Sequence, residues 1–426
     1  MLTSRRMLSL LLAASAVIAI LSGCYAAPAS ENIGQGKESS GTPTTGSEIS
    51  TATYPIPREN VRAFAYMAAS ASTGGFWQWD TFFRSYIQAY DPVTRTTYIP
   101  CYQSGCRHND LTCNACFGDV ESLVEYRENY YAMVYTDDET ASALVTRPLS
   151  GGPLQTLASW EPENENESCR CALRCVSFGK AYVIANRETY ALTEDGQLTT
   201  AAQESSLVSV DLQTGEISTI LENCDNYDLY GVWEDIAVLR VLEMAEDAPE
   251  FEDWLAQQPE GTAWDEYNRQ FVRYRFLTRN LQTGEESVLV DTSENFVMTV
   301  DPHRSWGQYA VYQVDRSLYV YDLEKQAAKK LFTYEQNWDF YNYMILDGHV
   351  IAICGTENVC RVWAIDIADE VVTELDTRSG NVMIFSTDYE CDGYFKGLLT
   401  EPSGNVEVCY ISKEDFYRSN YDGAFH

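Results

Sequence analysis

The chain has 426 residues, with 29 Lys plus Arg, 63 Asp plus Glu and only 4 His, a formal charge of -34 at pH 7. A surface this acidic repels phosphate backbones and excludes nucleic acid as a partner. With 45% hydrophobic and 13% aromatic residues, wholesale disorder is excluded as well.

Arg5 and Arg6 precede an apolar run from Met7 to Leu21. That run is short for a membrane span, which needs about 20 residues, and has the layout of an export signal. It ends in Leu21-Ser22-Gly23-Cys24, which resembles the lipobox of bacterial lipoproteins. The resemblance implies that residues 1–23 are a signal peptide and that Cys24 carries the lipid, a diacylglycerol with palmitate-type chains. Cleavage removes two arginines and no acid, leaving 27 bases against 63 acids, or -36. Anionic headgroups repel such a body, so the lipid rather than a basic patch would hold it to the membrane. Residues 24–57 are rich in Ser, Thr, Gly, Ala and Pro and read as a flexible tether.

Over residues 58–420 one pattern recurs. An alternating apolar strand reaches an Asp or another polar residue, makes a short turn, and continues into a second alternating strand. Its anchors are Asp91, Pro148, Asp211, Asn280, Asp322, Asp366 and Tyr410. The Asp side chain caps the turn, and Gly215 and Gly284 supply a left-handed residue. Another strand pair precedes most copies, and Val61–Ala68 reads as a strand that completes the last unit. The expected fold is all-β: a β-propeller of seven four-stranded blades. The Asp-x-x-Thr-Gly hairpin resembles the repeats of quinoprotein-like and WD40-like propellers, a likeness that implies a scaffold and no chemistry. In the fourth unit residues 245–272 break the strand pattern. Trp264, Tyr267, Asn268 and Phe271 fall at helical spacing, which predicts a short helical insertion whose aromatic stripe packs on a blade edge.

Twelve cysteines follow Cys24. Cys101, Cys106, His108 and Cys113 are crowded into one segment, with Cys116 close behind. In an exported protein the ordinary expectation is two disulfides. Three thiolates and an imidazole also suit a structural zinc ion. The segment resembles one found in propeller-like lipoproteins of Gram-positive anaerobes, where an aromatic stands at the place of Cys116. That resemblance makes Cys101, Cys106, His108 and Cys113 the metal-ligand set and leaves Cys116 outside it. Cys354 and Cys360 flank a tight turn and are a candidate disulfide pair. Cys169, Cys171, Cys175 and Cys224 have no pairing that spacing alone assigns.

No nucleophile elbow, zinc-protease helix or phosphate loop is present. His303 and His349 sit at turn-like positions and read as loop residues. Asp388 to Asp392 resembles half of a calcium loop, but Leu399 stands where the bidentate Glu belongs. Gly74–Trp79 and Asn337–Tyr343 are aromatic-rich segments that suit sugar stacking if exposed. The expected function is recognition of a glycan, peptide or protein partner, without catalysis, by a monomeric, lipid-anchored extracytoplasmic lipoprotein of the cell envelope. The alternatives are an envelope-assembly scaffold and a propeller-type polysaccharide hydrolase or lyase.

Overall fold

The computed structural model describes residues 53–62, 67–69, 76–79, 85–136, 139–193, 198–258, 264–291, 305–314, 316–334, 339–356, 359–375, 384–400 and 405–426. The stretch expected as a signal peptide, Cys24 and most of the expected tether lie outside them, as does His303. Among the described residues no helix is long and apolar enough to cross a membrane.

Strands β1 (Asn60–Arg62), β2 (Met67–Ala69), β3 (Phe76–Trp79), β4 (Ser85–Asp91) and β5 (Thr96–Tyr98) come first. They are followed by β6 (Cys116–Tyr126), β7 (Asn129–Tyr135), β8 (Ser142–Pro148) and β9 (Gln155–Trp160). The next four are β10 (Glu167–Ser177), β11 (Lys180–Leu192), β12 (Leu198–Asp211) and β13 (Ile217–Glu222). Then come β14 (Tyr227–Trp233), β15 (Ile236–Met244), helices α1 (Phe251–Leu255) and α2 (Trp264–Phe271), β16 (Val272–Asn280) and β17 (Glu286–Asp291). After these lie β18 (Ser305–Trp306), β19 (Tyr309–Val314), β20 (Ser317–Asp322) and β21 (Ala327–Thr333). The chain ends with β22 (Asp339–Leu346), β23 (His349–Thr356), β24 (Val359–Asp366), β25 (Val372–Leu375), β26 (Ile384–Cys391), β27 (Tyr394–Thr400), β28 (Val406–Ser412) and helix α3 (Lys413–Tyr417). Consecutive strands pair antiparallel, so the repeating module is a four-stranded meander.

The chain forms two compact units, one of residues 55–332 with 389–392, the other of residues 1–54, 333–388 and 393–426. In the larger unit each central sheet buries both faces, one against each neighbouring module. Ala181 and Val183 of β11 join the core shared with the preceding module. Their alternates, Tyr182 and Ile184, join the core shared with the following one. Ala237 and Leu239 of β15 likewise face backward and Val238 forward. Stacking of meanders face to face, in chain order, is the packing of propeller blades. Because both faces are covered, the second strands read as continuous apolar runs, each Val or Leu worth about 1.5–3 kcal/mol on burial. In the smaller unit the modules from β22 and β26 share one core with α3.

The turn expected from the sequence is built five times. Oδ1 of Asp91, Asp211, Asn280, Asp322 and Asp366 each accepts the N–H of the second and third residues beyond it. The fourth residue beyond is left-handed in all five: Arg95, Gly215, Gly284, Gln326 and Glu370.

Seven separate four-stranded blades are not what forms. The described strands make six sheets, because β4 pairs with β6 (Ser85 to Gly118, Tyr86 to Cys116) and fuses the first two modules into one eight-stranded sheet. The last sheet has three described strands, β26–β27–β28, and the sheet from β10 to β13 gains a fifth strand, β1. The expected closing strand is therefore placed elsewhere: Asn60, Val61 and Arg62 pair with Ser177, Val176 and Cys175 of β10. Asn60 fixes this position, since its buried amide donates to the carbonyls of Val232 and, at 2.8 Å, of Gly307. The helical insertion lies in the fourth module as expected, but its aromatics pack on one another. Tyr267 meets Phe251 and Trp254 edge-on, each at 5.3 Å. Asp388 to Asp392 runs along a strand into the turn between β26 and β27, so no calcium loop exists there.

Candidate metal centre

The segment between β5 and β6 has no regular structure and is held by turns. Cys106 and Cys113 donate their N–H groups to the carbonyls of Gln103 and Asp110. Left-handed Gly105 and His108, at φ 72° and 54°, turn the chain back between them. Gln103 Nε2 bridges the two halves, donating to Thr112 O at 2.8 Å and Asn114 Oδ1 at 3.2 Å.

This folding converges the four residues singled out in the sequence. One ligand atom from each of Cys101, Cys106, His108 and Cys113 lies within 4.8 Å of all the others. Zn–S bonds of about 2.3 Å and Zn–N bonds of about 2.0 Å set tetrahedral ligands about 3.4–3.8 Å apart, so small side-chain movements close this set on an ion. His108 Nδ1 is already 3.3 Å from Cys113 Sγ. Cys116 is not in the set; it opens β6 and is buried.

The backbone is arranged for negative sulfur. His108 N–H points at Cys106 Sγ and Ala115 N–H at Cys113 Sγ, both at 3.4 Å. Burial pushes the Cys101 thiol up, but the N–H groups of Gln103 and Asn114 outweigh it and hold the thiol below its usual range. Burial and the neighbouring sulfurs of Cys101 and Cys106 push Cys113 up to about 12. Beneath the loop lies Arg147 of β8, wholly buried. Its guanidinium donates to the carbonyls of Cys113, of Cys116 at 2.8 Å and of Leu111 at 2.8 Å, and lies 5.1 Å from the Phe117 ring centroid. Were these residues to hold a divalent ion, three thiolates and a neutral imidazole would leave one negative charge, which this arginine would balance. Sequence reading missed Arg147; an arginine at an inward position of an apolar strand was the available signal.

Among the described residues no disulfide forms: Cys101, Cys106, Cys113, Cys116, Cys169, Cys171, Cys175, Cys224, Cys391 and Cys409 all keep their thiols outside one. The hairpin expected around Cys354 and Cys360 is present, with Cys354 opposite Arg361 and Cys360 opposite Gly355; the side chains of that pair lie outside the described ones. So do those of Phe76–Trp79 and Asp339–Tyr343, the aromatic segments.

His349 is not a loop residue. It is buried at the start of β23, with Nδ1 2.6 Å from Asp347 O and 3.1 Å from Tyr417 Oη. Lys413 Nζ and Tyr417 Oη donate to the Asp347 carboxylate, each at 2.9 Å. Tyr54 donates its N–H to Asp347 at 2.8 Å and its hydroxyl to Asp366 at 2.6 Å. Every one of these groups is satisfied internally, the condition of a structural network rather than a site awaiting substrate. The chain is thus engaged from Tyr54, within the stretch expected as tether.

No family model matches the chain, and no curated protein matches it in sequence. Solved structures do resemble it. The β-propeller domain of the Trilobed protease from Pyrococcus furiosus is 12% identical, covers 82% of this chain and 95% of its own, and has a TM-score of 0.44. Porphyromonas gingivalis dipeptidyl peptidase 4 is 11% identical over 82% of this chain, with a TM-score of 0.47; this chain spans 58% of it. An oligogalacturonate lyase in complex with manganese is 12% identical, covers 85% of this chain and 84% of its own, and has a TM-score of 0.39. These likenesses concern strand arrangement and assign no chemistry to this chain.

Proposed function

We propose that the chain is an exported lipoprotein, tied through Cys24 to the outer face of a cell membrane, whose propeller engages an extracytoplasmic ligand and whose 101–113 loop holds a structural zinc ion. The convergence of Cys101, Cys106, His108 and Cys113 within 4.8 Å supports the metal. Four protein ligands leave no open position for substrate, so the ion's work is to order a loop with too few apolar residues to order itself. The envelope role rests on the signal and lipobox together with a charge that keeps the body away from anionic headgroups.

Elemental analysis and thiol counting on protein purified under reducing conditions test the metal. About one zinc per chain is expected; zinc far below that, with the thiols of Cys101, Cys106 and Cys113 reactive or oxidised, rejects it. Radiolabelled palmitate incorporation that disappears in Cys24→Ala tests the anchor. Glycan and peptide arrays probed with the portion from Tyr54 onward test the ligand.

A second reading is a propeller-type polysaccharide hydrolase or lyase; one of the similar structures is named as an oligogalacturonate lyase and the others as a protease and a dipeptidyl peptidase. Within this chain it is supported by Glu121, a half-buried carboxyl that burial holds above the usual carboxylate range. Breakdown of an arrayed polymer rather than retention of it would favour this reading over recognition alone.

A further inference from the structure

The first strands of four modules share an irregularity. Pairing with the second strand skips Glu121 in β6, Arg174 in β10, Tyr230 in β14 and Tyr341 in β22. A bulge takes the skipped residue out of the two-residue alternation and re-aims its side chain. Tyr230 finds partners, standing edge-on to Phe276 at 5.6 Å with the Arg240 guanidinium 6.0 Å from its ring centroid.

Glu121 and Arg174 are not satisfied in this way. Glu121 Oε2 is buried and accepts no hydrogen bond. Arg174 is half-buried and makes no hydrogen bond or ion pair among the described residues. The two bulges stand at one level of adjacent first strands, where Leu173 N–H of β10 donates to Ser122 Oγ of β6 at 3.2 Å. Tyr135 of β7, also half-buried and within electrostatic range of Glu121, makes no hydrogen bond among the described residues. Native proteins keep few buried polar atoms unsatisfied; Glu121 and Arg174 attract one another electrostatically, but no hydrogen bond joins them and Glu121 Oε2 keeps room for a donor.

We propose that Glu121 and Arg174 bind a small zwitterion, a free α-amino acid, whose ammonium donates to Glu121 Oε2 and whose carboxylate accepts from the Arg174 guanidinium. This inference rests on the reading of the propeller as a ligand-engaging platform and names the ligand class. Charge selects the class. A chain at -34 opposes the approach of net anions such as uronates, while a zwitterion carries no net charge and still offers a partner to both groups. Burial favours the protonated form of Glu121, against Ser122, Arg174 and the Leu173 N–H. Cys171 and Tyr135 face the carboxyl as well, with Arg170 and Asp119 beyond Tyr135. An ammonium needs the ionised form, so binding releases the Glu121 proton to buffer wherever the free site is protonated.

Isothermal titration of the full-length chain in detergent with alanine, at up to about 10 mM, tests the site. Alanine is expected to bind, more weakly as the pH is lowered from about 7.5 to about 5, with a heat that depends on the buffer's ionisation enthalpy. Glu121→Gln and Arg174→Gln should each weaken binding about tenfold or more. Arg174→Gln carries the test if the Glu121 variant does not fold. No alanine binding, equal binding by both variants, or preference for galacturonate or glucose at the same groups overturns the proposal. A ligand captured on the arrays while alanine fails leaves the platform standing and removes the zwitterion site; failure of both removes both.

Discussion

Replacing Arg147 with methionine isolates what the buried guanidinium does for the cysteine loop. Methionine fills most of the same volume and keeps an apolar contact with Phe117, so the change removes donors and charge rather than packing. The carbonyls of Leu111, Cys113 and Cys116 lose their partner. Each buried acceptor left unsatisfied costs about 1–3 kcal/mol. The three are linked by one loop that can partly swing to water, so the joint cost is about 3 kcal/mol rather than the full sum. That cost falls on local opening of residues 99–118, not on the whole chain, because the cores of the following modules do not touch this arginine. A 3 kcal/mol loss raises the open population about 150-fold. The assay is the rate of thiol modification in the metal-free protein, and of zinc transfer to a chromogenic chelator in the loaded one. Both rates should rise by about two orders of magnitude in Arg147→Met, and by less in Arg147→Lys, which keeps the charge and loses the fork. Rates within about threefold of the parent would show that the loop stands without the arginine, and the charge balance drawn for the centre would be wrong.

Three further outcomes follow from the same geometry. Cys113→Ser should abolish stoichiometric zinc and expose residues 99–118 to limited proteolysis, read by mass spectrometry of the fragments; retained zinc would remove Cys113 from the set. Gly284→Ala and Gly215→Ala both place a side chain at left-handed φ, near 74° and 75°, which costs about 1 kcal/mol. A Cβ at Gly215 would also lie 2.3 Å from Leu157 O, whereas at Gly284 the nearest atom is Arg279 Nη2 at 3.5 Å. Gly215→Ala should therefore lose about 3 kcal/mol and Gly284→Ala about a third of that, as separate melting curves would show. Burial pushes the Asp322 carboxyl up, but the Lys325 ammonium and N–H and the Gln308 amide outweigh it and hold it below the usual range. A depressed carboxylate stabilises the fold above its unfolded pKa and loses that contribution as pH falls through its folded value. Asp322→Asn should thus flatten the acid limb of the stability profile, below about pH 4, and leave its neutral slope unchanged.

The repeat was legible because its turn is local chemistry. Asp or Asn followed two and three residues on by N–H groups needs no knowledge of distant chain, and five anchors read from the sequence make that turn. Pro148 and Tyr410 mark module ends without it, as a residue lacking a carboxyl or amide oxygen must. The fusion of β4 to β6 depends on where a loop of cysteines folds back, and alternation does not encode that. Val61 was readable as a strand residue but not as a partner of Val176, since nothing local to it specifies β10. The candidate ligand set came from a resemblance laid on the cysteine spacing, while the convergence of its three sulfurs and one imidazole depends on how the loop folds. His349 read as a turn residue because Asp-Gly-His is turn chemistry. Its burial is set by Tyr417 and Lys413, more than sixty residues away.

The bulges show why the ligand was the least legible part. In Val120-Glu-Ser-Leu123, Leu173-Arg-Cys-Val176 and Leu229-Tyr-Gly-Val232 the apolar phase slips by one residue at the place where pairing skips. Read as sequence, that slip looks like noise in a strand pattern, and the polar residue inside it looks solvent-facing. Placed on first strands, the slips lift one residue out of the ladder, and on β6 and β10 they do so at one level. A regular strand would have given Glu121 and Arg174 to an inter-module core or to solvent. Only the break lets a carboxyl and a guanidinium stand near one another, half-buried and not hydrogen-bonded to each other. The repeat that makes the scaffold readable is therefore silent about recognition, and the residues that escape it are where specificity can be built.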